Sequence, residues 1–200
     1  MIKNDHFCSV FFICCKKPFN YRVKNLFGGK FMENFGGLGF RKFEENDVDL
    51  FTQMFKKAFD KDSQIHLGKE GGPPGYENGD FLREWFLHNG ASAYAVFKDD
   101  KPIGGVNVFI NNDTNENFLG NIFVDPDLQD KGLGLVIWNY IEQKYPQTKK
   151  WITDTPGFSY RNHHFYVNKC GFKIFHINDP KNRDSGEPLS GYCTEKIMDK

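Results

Sequence analysis

From Gly39 onward the apolar positions of the chain fall into regular periods. Gly39 to Phe43 (GFRKF) reads as a short strand. Asn46-Asp47 then signal a helix start, followed by Val48, Phe51, Met54, Phe55 and Ala58 on one helical face. Pro73-Pro74 interrupt the chain in a loop, GKEGGPPGYENG, because proline cannot sit in a helix interior. Asp80 opens a second amphipathic helix with Phe81, Leu82, Trp85 and Phe86, which stops at Asn89-Gly90. Ala91 to Phe97 and Ile103 to Ile110 flank Asp99-Asp100, and the alternation of Val106, Val108 and Ile110 predicts a hairpin. After a polar turn, Asn111 to Asn117, a strand runs from Phe118 to Val124. Lys131 to Lys144 is helical, with Leu133, Ile137, Tyr140 and Ile141 on one stripe. Lys150 to Asp154 is a strand, Tyr160 to Lys169 a helix ended by Gly171, and Phe172 to Ile177 and Gly191 to Ile197 are strands. The order predicts an α/β protein of the α+β type: a mixed, mostly antiparallel sheet of six to seven strands flanked by about four helices.

Composition narrows the class. At 39% hydrophobic, with 22 phenylalanines in 200 residues, the chain has ample material for a packed core. Its 26 basic and 26 acidic residues cancel, which argues against a partner made of nucleic acid or anionic membrane. The longest apolar run, Phe7 to Cys15, is far short of the roughly 20 residues of a membrane helix and lacks the flanks of a secretory signal. The expected location is the cytoplasm. Cys8, Cys14, Cys15, Cys170 and Cys193 are odd in number and show no C-x-x-C or zinc spacing, so free thiols and no metal are expected. Residues 1–31 carry six basic residues against one acid and no sustained period, while the remainder is acidic by five. A basic arm is one reading. The preferred one is an extension preceding a natural start at Met32, with residues 1–35 outside the fold and a domain over 36–200.

One stretch carries candidate chemistry. Val124-Asp125-Pro126-Asp127-Leu128 leads from a strand end into Gln129-Asp130-Lys131-Gly132-Leu133-Gly134 at the start of a helix. A helix start presents unpaired N–H groups and the positive end of a dipole, so it binds anions. Glycine lets a ligand approach the backbone, and Lys131 and Gln129 add a charge and a donor. The third glycine of a dinucleotide fingerprint is absent, Ile137 standing in its place, and no Gly-Lys-Ser/Thr follows.

With the elements around it, this stretch resembles the GNAT superfamily of acetyl-CoA-dependent N-acetyltransferases, whose hallmark is Q/R-x-x-G-x-G/A after a strand ending in V-x-P. Downstream, Trp151 to Asp154 is similar to the family's fifth strand, and Asn162 to Phe172 to its last helix; the likeness spans Gly39 to Lys196. It implies acetyl-CoA as co-substrate. Backbone groups of Phe123 and Val124 would pair with the pantetheine arm, and N–H groups from Gln129 to Gly134 would cradle the pyrophosphate. Asn162 would lie near the cofactor, and Tyr166 would protonate the departing thiolate. Tyr76 and Trp85 would line the acceptor pocket, where this fold usually receives its substrate. Two positions depart from the pattern: Asp130 replaces a common glycine, and Tyr166 lies five residues before Gly171 rather than four. One extra residue turns a helix by about 100°. An acid at Tyr166 therefore requires an irregular helix end.

Acetyl transfer to an amine requires a neutral nitrogen, donors for the oxyanion and a proton for the thiolate. Asp154 and Glu116 are candidate bases, as is a water chain. Cys170 is expected to pack, since direct attack needs no covalent intermediate. His163 and His164 point about 100° apart on a helix and cannot share one metal ion. The expected function is acetyl transfer to a primary amine of a small molecule or peptide; the alternative is a non-catalytic acyl-CoA sensor of the same fold. A homodimer is left open.

Overall fold

The structure is a computed structural model that describes residues 23–27, 30–129, 131–178, 181 and 190–198. Its strands are β1 (Val23–Phe27), β2 (Lys30–Phe35), β3 (Leu38–Lys42), β4 (Ala91–Lys98), β5 (Lys101–Phe109), β6 (Glu116–Val124), β7 (Lys150–Pro156), β8 (Lys173–Asn178) and β9 (Gly191–Ile197). They form one sheet in the order β1-β2-β3-β4-β5-β6-β7-β9-β8. Every neighbouring pair is antiparallel except β6 and β7. The helices are α1 (Val48–Leu67), α2 (Asp80–Phe86), α3 (Leu133–Lys144) and α4 (Tyr160–His163), the last running into a π-helical turn, His164–Lys169.

Both faces of the sheet are packed. On one, the stripe Val48, Phe51, Met54 and Phe55 of α1 meets Phe81 and Phe86 of α2, Phe97 of β4 and Phe123 of β6. The rings interlock edge to face, Phe55 against Phe123 at 5.0 Å between centroids. On the other, Ile137, Trp138, Tyr140 and Ile141 of α3 pack over Phe40, Val106, Leu119 and Trp151. Each such aromatic burial contributes about 1.5–3 kcal/mol. The β4–β5 hairpin closes through Asp99 (φ 47°) and Asp100 (φ 60°), both in the left-handed region that a tight two-residue hairpin demands.

The sheet extends further upstream than expected. Seven of the nine strands match the sequence reading, and β1 and β2 lie inside the stretch assigned to an extension. Met32 is buried in the core, and Glu33 accepts hydrogen bonds from Tyr140 (3.1 Å) and Lys144 (2.6 Å) of α3. The boundary at 36 is therefore too late for residues 30–35. Their pattern hid this, because Met32 is the one buried residue among 31–35, so no alternation marks the strand in the sequence. Residues 1–22 lie outside the described residues. Among the described residues no helix is long and apolar enough to cross a membrane.

Candidate active site

The parallel strands β6 and β7 are joined over only part of their length. Glu116, Asn117 and Phe118 pair with Lys150, Trp151 and Ile152, and the ladder then ends. Beyond that point β6 stays with β5 and β7 with β9, so the two strands part as a fork. A bulge at Gly120, where Asn107 pairs with Asn121 but Val108 with Leu119, marks the level of the split. Thr153 Oγ donates to the Leu119 carbonyl (2.8 Å) across its base. The gap opens into a cavity of about 590 Å³, a size typical of small-molecule sites, roughly 300–1,000 Å³.

Gly120 to Val124 form one wall of this cavity and Asp154 to Pro156 the other. Strand alternation sets which backbone groups face it. The Asp125 N–H bonds back to Ile103 of β5 (2.8 Å), so Asp125 and Phe123 turn their backbone groups to β5. Ile122 and Val124 turn theirs to the gap, and the Val124 carbonyl accepts from Gln129 Nε2 there (3.3 Å). Phe123, singled out from sequence with Val124, instead commits its ring to the core between Phe55 and Phe86. Ile122 was missed, although counting back in twos from Val124 reaches it.

At the mouth of the fork β6 passes through a short turn, Pro126–Leu128, into α3. Lys57 and Lys61 of α1 brace that turn through Asp127 and the Pro126 carbonyl. Gly132 caps α3 with φ 73°, which favours glycine, and nothing lies within 4 Å of the place its Cβ would occupy. Gly134 serves a different need, since a Cβ there would stand 3.2 Å from the Phe165 ring. Gln129, Gly132, Leu133 and Gly134 all border the cavity, and Arg161 of α4 reaches over to bond Gln129 Oε1. Lys131 is exposed and outside the lining, and Asp130 lies outside the described residues. Arg161 and Lys169, both in the lining, add positive charge that the motif did not reveal.

The irregularity that Tyr166 requires is present. Between His164 and Lys169 the helix widens to a π turn, with the Cys170 N–H bonding five residues back to the Phe165 carbonyl (3.0 Å). The extra residue is absorbed there, and Tyr166 is buried facing the cavity. Its ring packs against Phe165 and Phe172, and its hydroxyl meets Thr153 at the base of the fork. Burial pushes the Tyr166 pKa well above its ordinary value, against a smaller lowering by Thr153. Asn162, one turn earlier, lines the same cavity.

The remaining candidates separate. Tyr76 and Trp85 do not line the fork cavity: Tyr76 donates to Asp60 (3.0 Å) beside the Gly/Pro loop, and Trp85 stacks on Phe81 (5.6 Å). Glu116 is the first residue of β6, at the joined end, and pairs with Lys150 (2.8 Å). Asp154 borders the cavity. His163 bonds the Pro156 carbonyl (3.0 Å) while His164 meets Asn168 (2.9 Å). Cys170 is buried beneath α3, and burial lifts its thiol pKa to about 12, the state of a packing thiol. Among the described residues no three metal-ligating side chains cluster.

A mostly antiparallel sheet that forks between its two parallel strands, with a glycine-flanked helix start at the mouth, is the architecture expected of an acyl-CoA-dependent acyltransferase. A model of the acetyltransferase (GNAT) family matches residues 51–172, over half of the chain, and the chain belongs to that family. It is 40% identical over 132 residues to the uncharacterized protein YrkN of Bacillus subtilis (strain 168), 66% of this chain and 70% of that one. Among solved structures it resembles the PaiA N-acetyltransferase of Thermoplasma acidophilum in complex with coenzyme A (TM-score 0.61, 16% identity, 80% of this chain and 99% of that). The ribosomal-protein-S18-alanine N-acetyltransferase of Escherichia coli is similar (TM-score 0.61, 13%, 82% and 95%). So is the spermidine N-acetyltransferase of Vibrio cholerae, in complex with CoA and spermine (TM-score 0.59, 17%, 80% and 95%). At these identities the likeness is one of fold.

Proposed function

We propose that the chain transfers the acetyl group of acetyl-CoA to a primary amine of a small molecule or peptide, by direct attack of the nitrogen on the thioester. The observation that carries this reading is the meeting of three features in one cavity: a phosphate-type helix start, a strand edge whose backbone groups turn to the gap, and a buried phenol. N–H groups of the first turn of α3, with Arg161 close by, suit the charge of a pyrophosphate. The backbone of Ile122 and Val124 suits the amide-bearing pantetheine arm, which would add to β6 as an extra strand adds to a sheet edge. Strand N–H groups beside Gly120 are the donors on hand for the oxyanion.

Tyr166 is the proton donor in this reading. Held neutral by burial, it remains a phenol well past pH 10, its ordinary pKa, and so has a proton to give at any physiological pH. Tyr166→Phe is the test, followed by thiol release from acetyl-CoA with a panel of primary amines. The rate should drop by about 10²–10⁴ while acetyl-CoA affinity stays nearly constant. An undiminished rate would remove Tyr166 from the mechanism. Binding of acetyl-CoA without thiol release, whatever amine is offered to the wild type, would favour a sensor.

A further inference from the structure

Strand alternation divides β7 at the level of the fork. Trp151 and Thr153 are buried toward α3 and α4, where Trp151 meets Trp138 (5.4 Å) and Thr153 meets Tyr166. Ile152, Asp154 and Pro156 therefore point to the opposite side, the one that α1 and α2 occupy further along the sheet. Asp154 stands two residues past the last β6–β7 pair, across the gap from the Gly120 bulge, and it borders the cavity while facing solvent.

The other charged groups in the lining are placed for other tasks. Arg161 is engaged with Gln129, and Lys169 is a cation. His164 meets Asn168. Asp62 lies on α1 beside His66 (3.5 Å), one residue from the Lys61 that reaches Pro126, and so belongs to the mouth rather than the fork. Around Asp154 the facing groups are Cys193, its partner on β9, and Glu195 two residues on. Across β9 on β8 come His176 opposite Cys193 and Lys173 opposite Glu195. On the β6 side the nearest charge is Glu116, paired with Lys150.

We propose that Asp154 is the base for the acceptor amine, so that acid and base reach the fork from opposite faces of β7 and the amine enters on the α1/α2 side. The inference rests on the transferase reading. The acceptor ammonium passes one proton to the Asp154 carboxylate, and its freed lone pair forms the C–N bond as the carbonyl π pair moves to oxygen. Return of that pair breaks the C–S bond. The thiolate takes the Tyr166 proton, the phenolate recovers, through solvent, the extra proton of the new amide nitrogen, and Asp154 releases its own to water. The products are amide, free thiol and one solvent proton. Although Asp154 is open to solvent on one side, the protein around it desolvates it in part and raises its pKa, opposed by the Cys193 contact, which brings the carboxylate closer to the working pH of a base. The carboxylate is the active form, so the rate should rise with pH through a value above the usual carboxylate range.

The test compares two small nucleophiles on the full chain, reading thiol release from acetyl-CoA across pH. Methylamine is almost wholly protonated near neutral pH, whereas hydroxylamine is already neutral there and needs no base before attack. Asp154→Asn should slow transfer to methylamine near neutral pH by about 100-fold or more, replace the carboxylate's step in the pH profile by a steady rise that tracks the neutral fraction of methylamine, and leave acetyl-CoA affinity and transfer to hydroxylamine nearly as in the wild type. Asp154→Glu should restore part of the methylamine rate, and Asp154→Ser should repeat the asparagine result. Equal losses with both nucleophiles, or no loss with methylamine, would overturn the assignment. Wild-type protein that binds acetyl-CoA yet acetylates neither nucleophile would instead defeat the transferase reading, and this inference with it.

Discussion

Two glycines two positions apart in one motif answer to different physics. Gly132 holds a left-handed backbone in open space, so a methyl group there meets no atom and carries only the conformational cost, about 1–2 kcal/mol. Gly132→Ala should lower the unfolding free energy by that amount and weaken acetyl-CoA binding through the altered entry of α3; an unchanged stability would contradict the strain argument. Gly134 has an ordinary backbone and a crowded neighbour, so side-chain size decides its tolerance. The motif was legible in sequence because its needs are local. The roles of Arg161, Asp62 and Lys169 were not, because nothing in their spacing says that α1 and α4 converge on one cavity.

At the scale of elements, the π turn reconciles a sequence that is one residue too long with a tyrosine in the fork. Residue counting exposed the mismatch between Tyr166 and Gly171, but counting cannot say whether a helix absorbs an extra residue or rotates its side chains by about 100°. Deletion of the exposed Asn168 should let the turn close to ordinary α geometry. The deletion variant is expected to fold and to keep thiol-release activity within about tenfold of wild type, on the view that π bulges arise as single-residue insertions in α-helices. A folded but inactive protein would mean that the π turn itself, and not the spacing, positions Tyr166. The fork was illegible for a related reason. Where a parallel ladder stops depends on the Gly120 bulge and on Asn107 beside it, a contact between strands that no single segment records.

For the whole molecule, nearly all of the architecture followed from periodicity, and the error lay at one edge. Most of the predicted strands and the helices α1, α2 and α3 bury strongly patterned faces, whereas β2 contributes one buried methionine and one ion pair to α3. Those contacts still matter. A chain beginning at residue 36 loses Met32 from the core and leaves Lys144 and Tyr140 without Glu33. Such a chain should be less stable than one beginning at residue 23 by more than about 2 kcal/mol, measured by thermal and denaturant unfolding. Equal stabilities would show that β1 and β2 add nothing to the fold.

The central claim is that the fork and the start of α3 together hold acetyl-CoA. Calorimetric titration of the full chain with acetyl-CoA, and in parallel with free CoA, tests it most directly when repeated on Gly134→Glu. That variant drives a carboxylate into the helix start against Phe165. Binding of both ligands by the wild type, lost in a folded Gly134→Glu protein, is the predicted result. Absence of binding by the folded wild type, or equal affinity in the variant, would contradict it.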